Sequence, residues 1–130
     1  MDGILVPLSP GELLDKITIL RIKAQRIQDA GKLGNIHRAL VMLEQHWSQA
    51  VGATIELAGD EAALARVNTE LWEIEDRIRE HEAQRRFDAG FVELARAVYL
   101  HNDERAAIKQ RINLKLKSAI VEEKSYRPYR

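Results

Sequence analysis

Two groups of polar side chains in this sequence have the types and spacing needed to bind an anion. Lys16 and Lys23 lie seven residues apart in a segment of helical periodicity, so they share one face of a predicted helix. Two cations on one face can hold a phosphate or a carboxylate. The alternative is a solvated face, because Glu12 precedes Lys16 at the spacing of a favourable exposed ion pair.

The second group interrupts a later helix with polar residues. Its members are Asn102, Asp103, Arg105, Lys109 and Asn113. Asn102, Lys109 and Asn113 share one face, with Arg105 adjacent to it. Asn and Asp are weak helix formers, so their position in mid-helix indicates a specific partner. That partner is either a buried polar layer that fixes helix register or a small molecule bound between helices.

An enzyme acting on an anionic metabolite is the catalytic alternative. Lys16, Lys23, Arg105 and Lys109 would hold the negative charge, and Asp103 or Glu104 would transfer a proton. This hypothesis requires the cations of the first helix and Asp103 to converge in one pocket.

Other candidates for chemistry are weaker. The carboxylates Glu70, Glu73 and Asp76 have a spacing that can hold a divalent metal, but no matching pair follows on the next helix, which favours an acidic solvated face. The four histidines lack metal-ligand spacing, there is no cysteine, and no nucleotide-binding glycine motif is present. We therefore predict no metal and no cofactor.

The elements that must position these residues are helices. Ser9, Pro10 and Glu12 have the order of a helix N-cap, first position and capping box, and Asp60 and Asp88 are candidate caps for later helices. Together with two intervening loops, these signals predict an all-α fold, an antiparallel bundle of about four helices in one domain spanning residues 1–130. A short extended segment at each terminus, pairing residues 4–6 with 119–121, is an additional expectation.

Apolar periodicity predicts which faces form the core. The first helix carries the stripe Leu13, Ile17, Leu20, Ala24 and Ile27, and Ile19 and Ile22 widen it to more than one side. The third carries a heptad seam, typical of antiparallel bundles and coiled coils, of Leu64, Val67, Leu71, Ile74 and Ile78. The fourth carries Phe91, Leu94, Val98, His101, Arg105, Ile108 and Ile112. At His101 this register favours a hydrogen-bonded core residue over a catalytic base.

Charge is balanced overall but polarised along the chain. Lys and Arg number 20, as do Asp and Glu; residues 31–95 carry net −5 and residues 96–130 net +5. A formal net charge of zero makes nucleic acid an unlikely partner. We expect the basic end of the fourth helix to run beside Glu56, Asp60 and Glu61 if the last two helices form a hairpin.

No apolar run is long enough to span a bilayer, so we expect no membrane insertion and a cytoplasmic location.

Three segments of the chain resemble a small bacterial family catalogued as domain of unknown function 6165. They are SPGELLDKITILRIK at 9–23, NDERAAIK at 102–109 and VEEKSY at 121–126. The family has no established activity, and the resemblance implies an association with cell-surface polysaccharide synthesis. The polar positions that match its pattern are Glu12, Asp15, Lys16, Lys23, Asn102, Asp103, Arg105, Lys109, Glu123, Lys124 and Tyr126, whereas His101 is not among them.

These observations favour a binding or scaffold module over an enzyme. The expected partners are a small anionic ligand, a partner protein or a second copy of the chain. The fourth helix would offer a dimer surface if it protrudes past its neighbours, and the alternative is a monomer whose tail folds back over that end.

Overall fold

The computed structural model describes residues 1–51, 55–120 and 122–129, and their fold is a bundle of four helices. The helices are α1 (Pro10–Arg26), α2 (Ala30–Ala50), α3 (Ala58–Ala83) and α4 (Ala89–Lys115), with a single 3₁₀ turn at Ile55–Leu57. The predicted all-α bundle is therefore confirmed. Part of the loop predicted before α3, residues 52–54, lies outside the described residues.

Side-chain caps fix where three of the helices begin. Ser9 accepts a hydrogen bond from the Glu12 amide at 3.2 Å, as its position before Pro10 predicts. Asp88 caps α4 in the same way, and Asp29 caps α2. The prediction that Asp60 caps α3 is wrong, because α3 begins at Ala58 and places Asp60 inside its first turn.

The core lies where α1 meets the α3–α4 hairpin. It is built from Leu14 of α1, Leu64, Val67 and Leu71 of α3, and Ile108 and Ile112 of α4, with Leu57 closing one end. The α3 seam is confirmed, since four of its five members are buried and Ile78 is half-buried. The hydrophobic effect on this apolar contact drives the hairpin to close.

The buried face of α1 differs from the predicted stripe. Leu14, Ile17 and Ile22 are buried, whereas Leu13 and Leu20 are only half-buried. The reason is that α1 packs against α2, α3 and α4 at once, so several sides of the helix are covered. Its buried face therefore also carries polar residues, described below.

The last two helices compensate each other's charge, as the polarised sequence predicts. Asp60 is 5% exposed and accepts from Arg111 Nε at 3.2 Å and Lys115 Nζ at 2.7 Å. Lys115 also donates to the Glu56 carbonyl oxygen at 3.2 Å. Glu61 differs from the prediction, because its carboxylate pairs with Arg21 of α1.

The termini do not form the expected extended pair. Residues 4–6 are exposed, and no strand is present in the described part of the chain; Val121 of the proposed partner segment lies outside it. The described tail, residues 122–129, instead folds back along α4, where Tyr129 hydrogen-bonds Asp103. Within the described ranges, no helix has the length and apolar character to cross a membrane.

Candidate functional site

The start of α1 is held unusually close to α4. The Gly11 amide donates to Asn113 Oδ1 at 2.7 Å, and this contact is buried. A side-chain carbon at Gly11 would lie 2.5 Å from the Lys109 carbonyl oxygen, so only glycine fits there without a shift. The close approach brings the next residue of α1, Glu12, to the side of α4 that carries Lys109.

Lys109 is the centre of an ion-pair cluster. Its Nζ lies 2.5 Å from Glu12 Oε2 and 3.0 Å from Glu122 Oε2 of the tail. Burial alone would lower the pKa of Lys109, but Glu12 and Glu122 outweigh it and raise the pKa. Burial would likewise raise the pKa of Glu12, yet Lys109 and Lys16 hold it below its usual value. Lys109 is therefore a charged group that joins α1, α4 and the tail.

A buried polar chain lies one turn deeper in the bundle. Asn68 of α3 donates to Asp15 Oδ1 at 2.8 Å and to Thr18 Oγ1 at 3.0 Å, and all three residues are buried. The oxygen of the same Asn68 amide accepts from Arg105 at 3.3 Å, and Asn102 Oδ1 accepts from Arg105 at 2.9 Å. The guanidinium of Arg105 is thus oriented by two neutral amides.

A groove of about 660 Å³ runs between α4 and residues 122–129; we call it the tail groove. Its cations are Arg105, Lys109, Lys124 and Arg127, and its carboxylates are Asp103 and Glu122. Three tyrosines also line it, Tyr99, Tyr126 and Tyr129. Tyr99 and Tyr129 contact each other edge to face, with ring centroids 4.9 Å apart. A groove with this lining can bind an anion and cover an attached ring.

Three of these cations have no carboxylate partner in the part of the chain that the structure describes. Among the described residues, Arg105, Lys124 and Arg127 form no ion pair; Lys124 lies instead over the Tyr126 ring, 5.5 Å from its centroid. Other cations of the described part are paired, for example Arg26 with Glu73 at 3.1 Å. The tail groove therefore holds four cations and two carboxylates, and three of its cations form no ion pair with a described residue.

The seven predicted ligand-binding residues separate into two sets. Asn102, Asp103, Arg105 and Lys109 line the tail groove, and Asn113 lines an adjoining cleft of about 350 Å³ that also includes Lys109. Lys16 and Lys23 of α1 are not among the described residues that line either space. Lys16 reaches Glu12 at 3.5 Å, and so contacts the cluster only through that carboxylate.

The weaker candidates have structural partners. Glu70 binds Arg66 and the His101 ring, which also contacts the Ala97 carbonyl oxygen at 2.8 Å, as a hydrogen-bonded seam residue would. Glu73 pairs with Arg26 of α1. No group of three or more His, Asp and Glu side chains among the described residues is arranged to hold a metal ion.

Sequence reasoning did not identify Asn68, Tyr99 or Glu122 as parts of the site. Asn68 interrupts the apolar face of α3 beside Val67, which is a detectable signal of a buried polar partner. Tyr99 and Glu122 carry no such signal, because their position depends on the tail folding back. The family pattern singled out Glu123, but it is the neighbouring Glu122 that reaches Lys109.

The fold and the groove together define a small all-α bundle protein with a cation-rich groove beside its last helix. The chain belongs to the family of unknown function DUF6165, whose family model matches residues 4–129. No curated protein matches this chain, and no solved structure matches it.

Proposed function

We propose that this protein is a binding module for a small anionic ligand held in the tail groove. The observation that carries the proposal is the Arg105 guanidinium, which is oriented by Asn68 and Asn102 but forms no ion pair with a described residue. The Arg105 side chain lines both the tail groove and a cleft of about 470 Å³ that includes Asn68. Arginine has five N–H donors in a planar fork that fits carboxylate and phosphate oxygens in pairs. These two amide contacts leave N–H donors of the guanidinium free for a ligand, and no described carboxylate pairs with its charge.

The buried polar chain fixes the orientation of the Arg105 guanidinium, unlike that of a freely moving surface cation. Asn68 is itself held by Asp15 and Thr18, so the guanidinium is oriented before any ligand arrives. A donor that is already positioned loses less conformational entropy when it binds. The groove volume also lies in the range of about 300–1,000 Å³ that small-molecule sites occupy.

The tail contributes the rest of the proposed site. Lys124 and Arg127 add two cations, and Tyr126 adds an exposed aromatic face. A link to cell-surface polysaccharide metabolism is part of this proposal and is supported only by the family resemblance. A cytoplasmic location, a homodimer and a partner protein remain predictions from the sequence.

Binding of simple anions tests the proposal. We expect phosphate, pyrophosphate or citrate to raise the melting temperature and to give a saturable calorimetric titration at constant ionic strength. Lys124→Ala combined with Arg127→Ala should weaken binding about tenfold or more, because two charge-assisted contacts are lost. Arg96→Ala is the matched control, since Arg96 is an exposed cation of α4 that lines neither space.

Arg105→Lys separates charge from geometry. Lysine keeps the positive charge but loses the planar fork, so we expect weaker binding with little change in melting temperature. Equal binding by the wild type, the tail variant and Arg105→Lys would overturn the proposal. So would the absence of saturable binding by all three anions.

The enzyme hypothesis as first stated is not met, because Lys16 and Lys23 do not line either space with Asp103. A reduced form of it, an enzyme that holds an anionic metabolite with Arg105 and Lys109 only, is a second candidate favoured by the position of Asp103. This carboxylate lines the tail groove beside the cations and hydrogen-bonds Tyr129. Glu104, the other proposed acid or base, pairs with Arg66 instead. A bound ligand that is converted by the wild type, but only bound by Asp103→Asn, would support this alternative. Conversion that continues unchanged in Asp103→Asn would remove Asp103 from that role.

A further inference from the structure

Lys109 is occupied in this structure by a carboxylate that belongs to the chain itself. Glu122 Oε2 lies 3.0 Å from the Lys109 ammonium group, at a position that lines both the tail groove and the adjoining cleft. The Glu122 side chain is 50% exposed, whereas that of Lys109 is 11% exposed. The contact therefore joins a fixed, largely buried cation to a carboxylate at the surface.

The two carboxylates on Lys109 differ in how firmly they are held. Glu12 is half-buried in the first turn of α1, is 2.5 Å from Lys109, and is fixed by the close packing of Gly11 against α4. Glu122 belongs to a tail without helix or strand in its described residues, and it returns to water at little cost. Lys109 therefore has one structural partner and one exchangeable partner.

We propose that Lys109 is a second oxyanion subsite of the tail groove, and that Glu122 occupies it until a ligand takes its place. This inference rests on the proposed function, because it assigns a further contact within the same groove. The exchange replaces one carboxylate by another oxyanion, so the charge around Lys109 does not change. The ligand contributes its own contacts to Arg105 in addition, which favours the exchange.

The spacing of the two subsites defines the class of ligand. Arg105 and Lys109 are four residues apart on α4, so they lie on the same face of the helix with Cβ atoms about 6 Å apart. A ligand that reaches both of these long side chains must carry two anionic groups, as a diphosphate or a short dicarboxylate does. A ligand with one anionic group would reach only one of them.

A pair of adjacent variants tests the inference. Glu122→Gln removes the internal competitor, whereas Glu123→Gln makes the same change of charge one residue away, where no ion pair is formed with a described residue. We expect Glu122→Gln to bind pyrophosphate about three- to fivefold more tightly than the wild type, which is the range of an exposed ion pair. Glu123→Gln should leave the affinity for pyrophosphate within about twofold of the wild type. Phosphate should bind more weakly than pyrophosphate to all three proteins.

The outcomes separate this inference from the proposed function. If the wild type binds none of the anions, the proposed function fails. If the wild type binds pyrophosphate but both glutamine variants gain the same affinity for it, the gain is a general effect of the lost negative charge, and the Lys109 subsite is refuted. Equal affinity for phosphate and pyrophosphate would refute it as well. Matching melting temperatures of the two variants without ligand would confirm that both fold alike.

Discussion

Replacing Gly11 by alanine should destabilise the protein, although alanine normally favours a helix. Gly11 is buried at the second position of α1 and has no positive φ, so it is the close approach to α4 that requires glycine. A new Cβ atom would lie 2.5 Å from the Lys109 carbonyl oxygen and 3.0 Å from Asn113 Oδ1. The nearer atom belongs to a helix backbone, so α1 must move away from α4.

The magnitude follows from opposing contributions. Alanine gains up to about 1 kcal/mol in helix propensity. Overpacking in a closely packed site costs about 1–3 kcal/mol, and the 2.7 Å hydrogen bond from the Gly11 amide to Asn113, worth about 1 kcal/mol, is weakened as α1 moves. We therefore expect Gly11→Ala to lower the free energy of unfolding by about 1–3 kcal/mol.

Urea unfolding followed by circular dichroism measures this loss, with Gly59→Ala as the matched control. Gly59 lies in the first turn of α3, and a Cβ atom there would meet nothing within 4 Å. The same substitution should therefore be neutral or stabilising by up to about 1 kcal/mol. If Gly11→Ala is as stable as Gly59→Ala, the close approach of α1 to α4 is wrong. The proposed placement of Glu12 beside Lys109 would then fail with it.

Two further predictions concern buried polar groups. The pKa of Asp60 is held below its usual value of 3.8 because Lys115 and Arg111 outweigh the effect of burial. The ionised Asp60 therefore contributes fully to stability above pH 3.8, and this contribution is lost as the pH falls through the pKa of Asp60 in the folded protein. Asp60→Asn should lower the free energy of urea unfolding by about 1–3 kcal/mol at pH 7. The variant should also lose less stability than the wild type between about pH 5 and pH 3, and an equal loss in the two proteins would contradict this. Asn68→Ala should cost about 2–4 kcal/mol, because it leaves the buried Asp15 carboxylate without its 2.8 Å donor. Thr69→Ala, which removes only a hydrogen bond to the backbone of its own helix, should cost far less, and equal losses would contradict the buried chain.

Local sequence signals predicted the helices and the hairpin core, but not the assembly of the groove. The N-caps at Ser9 and Asp88 and the heptad seam of α3 depend on residues a few positions apart, so the sequence shows them directly. The rotation of α1 depends on simultaneous packing against three helices, and periodicity within α1 cannot reveal it. The contact of Glu122 with Lys109 depends on where the tail lies, which no local pattern specifies.

The difference between local sequence patterns and contacts of distant segments also explains why Lys16 and Lys23 of α1 are not part of the groove. Their spacing placed Lys16 and Lys23 on one helix face, but neither residue lines the groove between α4 and the tail. On α4, in contrast, Arg105 interrupts the apolar register and lines the groove, and the neighbouring polar residues Lys109 and Asn113 are buried. A polar residue on a core-facing stripe was therefore a better indicator of the site than two cations on an amphipathic face.

The absence of net charge does not weaken the case for an anionic ligand, because charge balance is local. Buried Asp60 pairs with Arg111 and Lys115 at the far end of α4, and Glu73 and Glu70 of α3 pair with Arg26 and Arg66. None of these carboxylates lines the tail groove, where Arg105, Lys124 and Arg127 form no ion pair with a described residue. A short-range positive potential then attracts anions at close distance, whereas a neutral protein exerts no long-range attraction on a polyanion. The ligand affinity should consequently depend on which anionic groups reach Arg105 and Lys109 more strongly than on the total charge of the ligand.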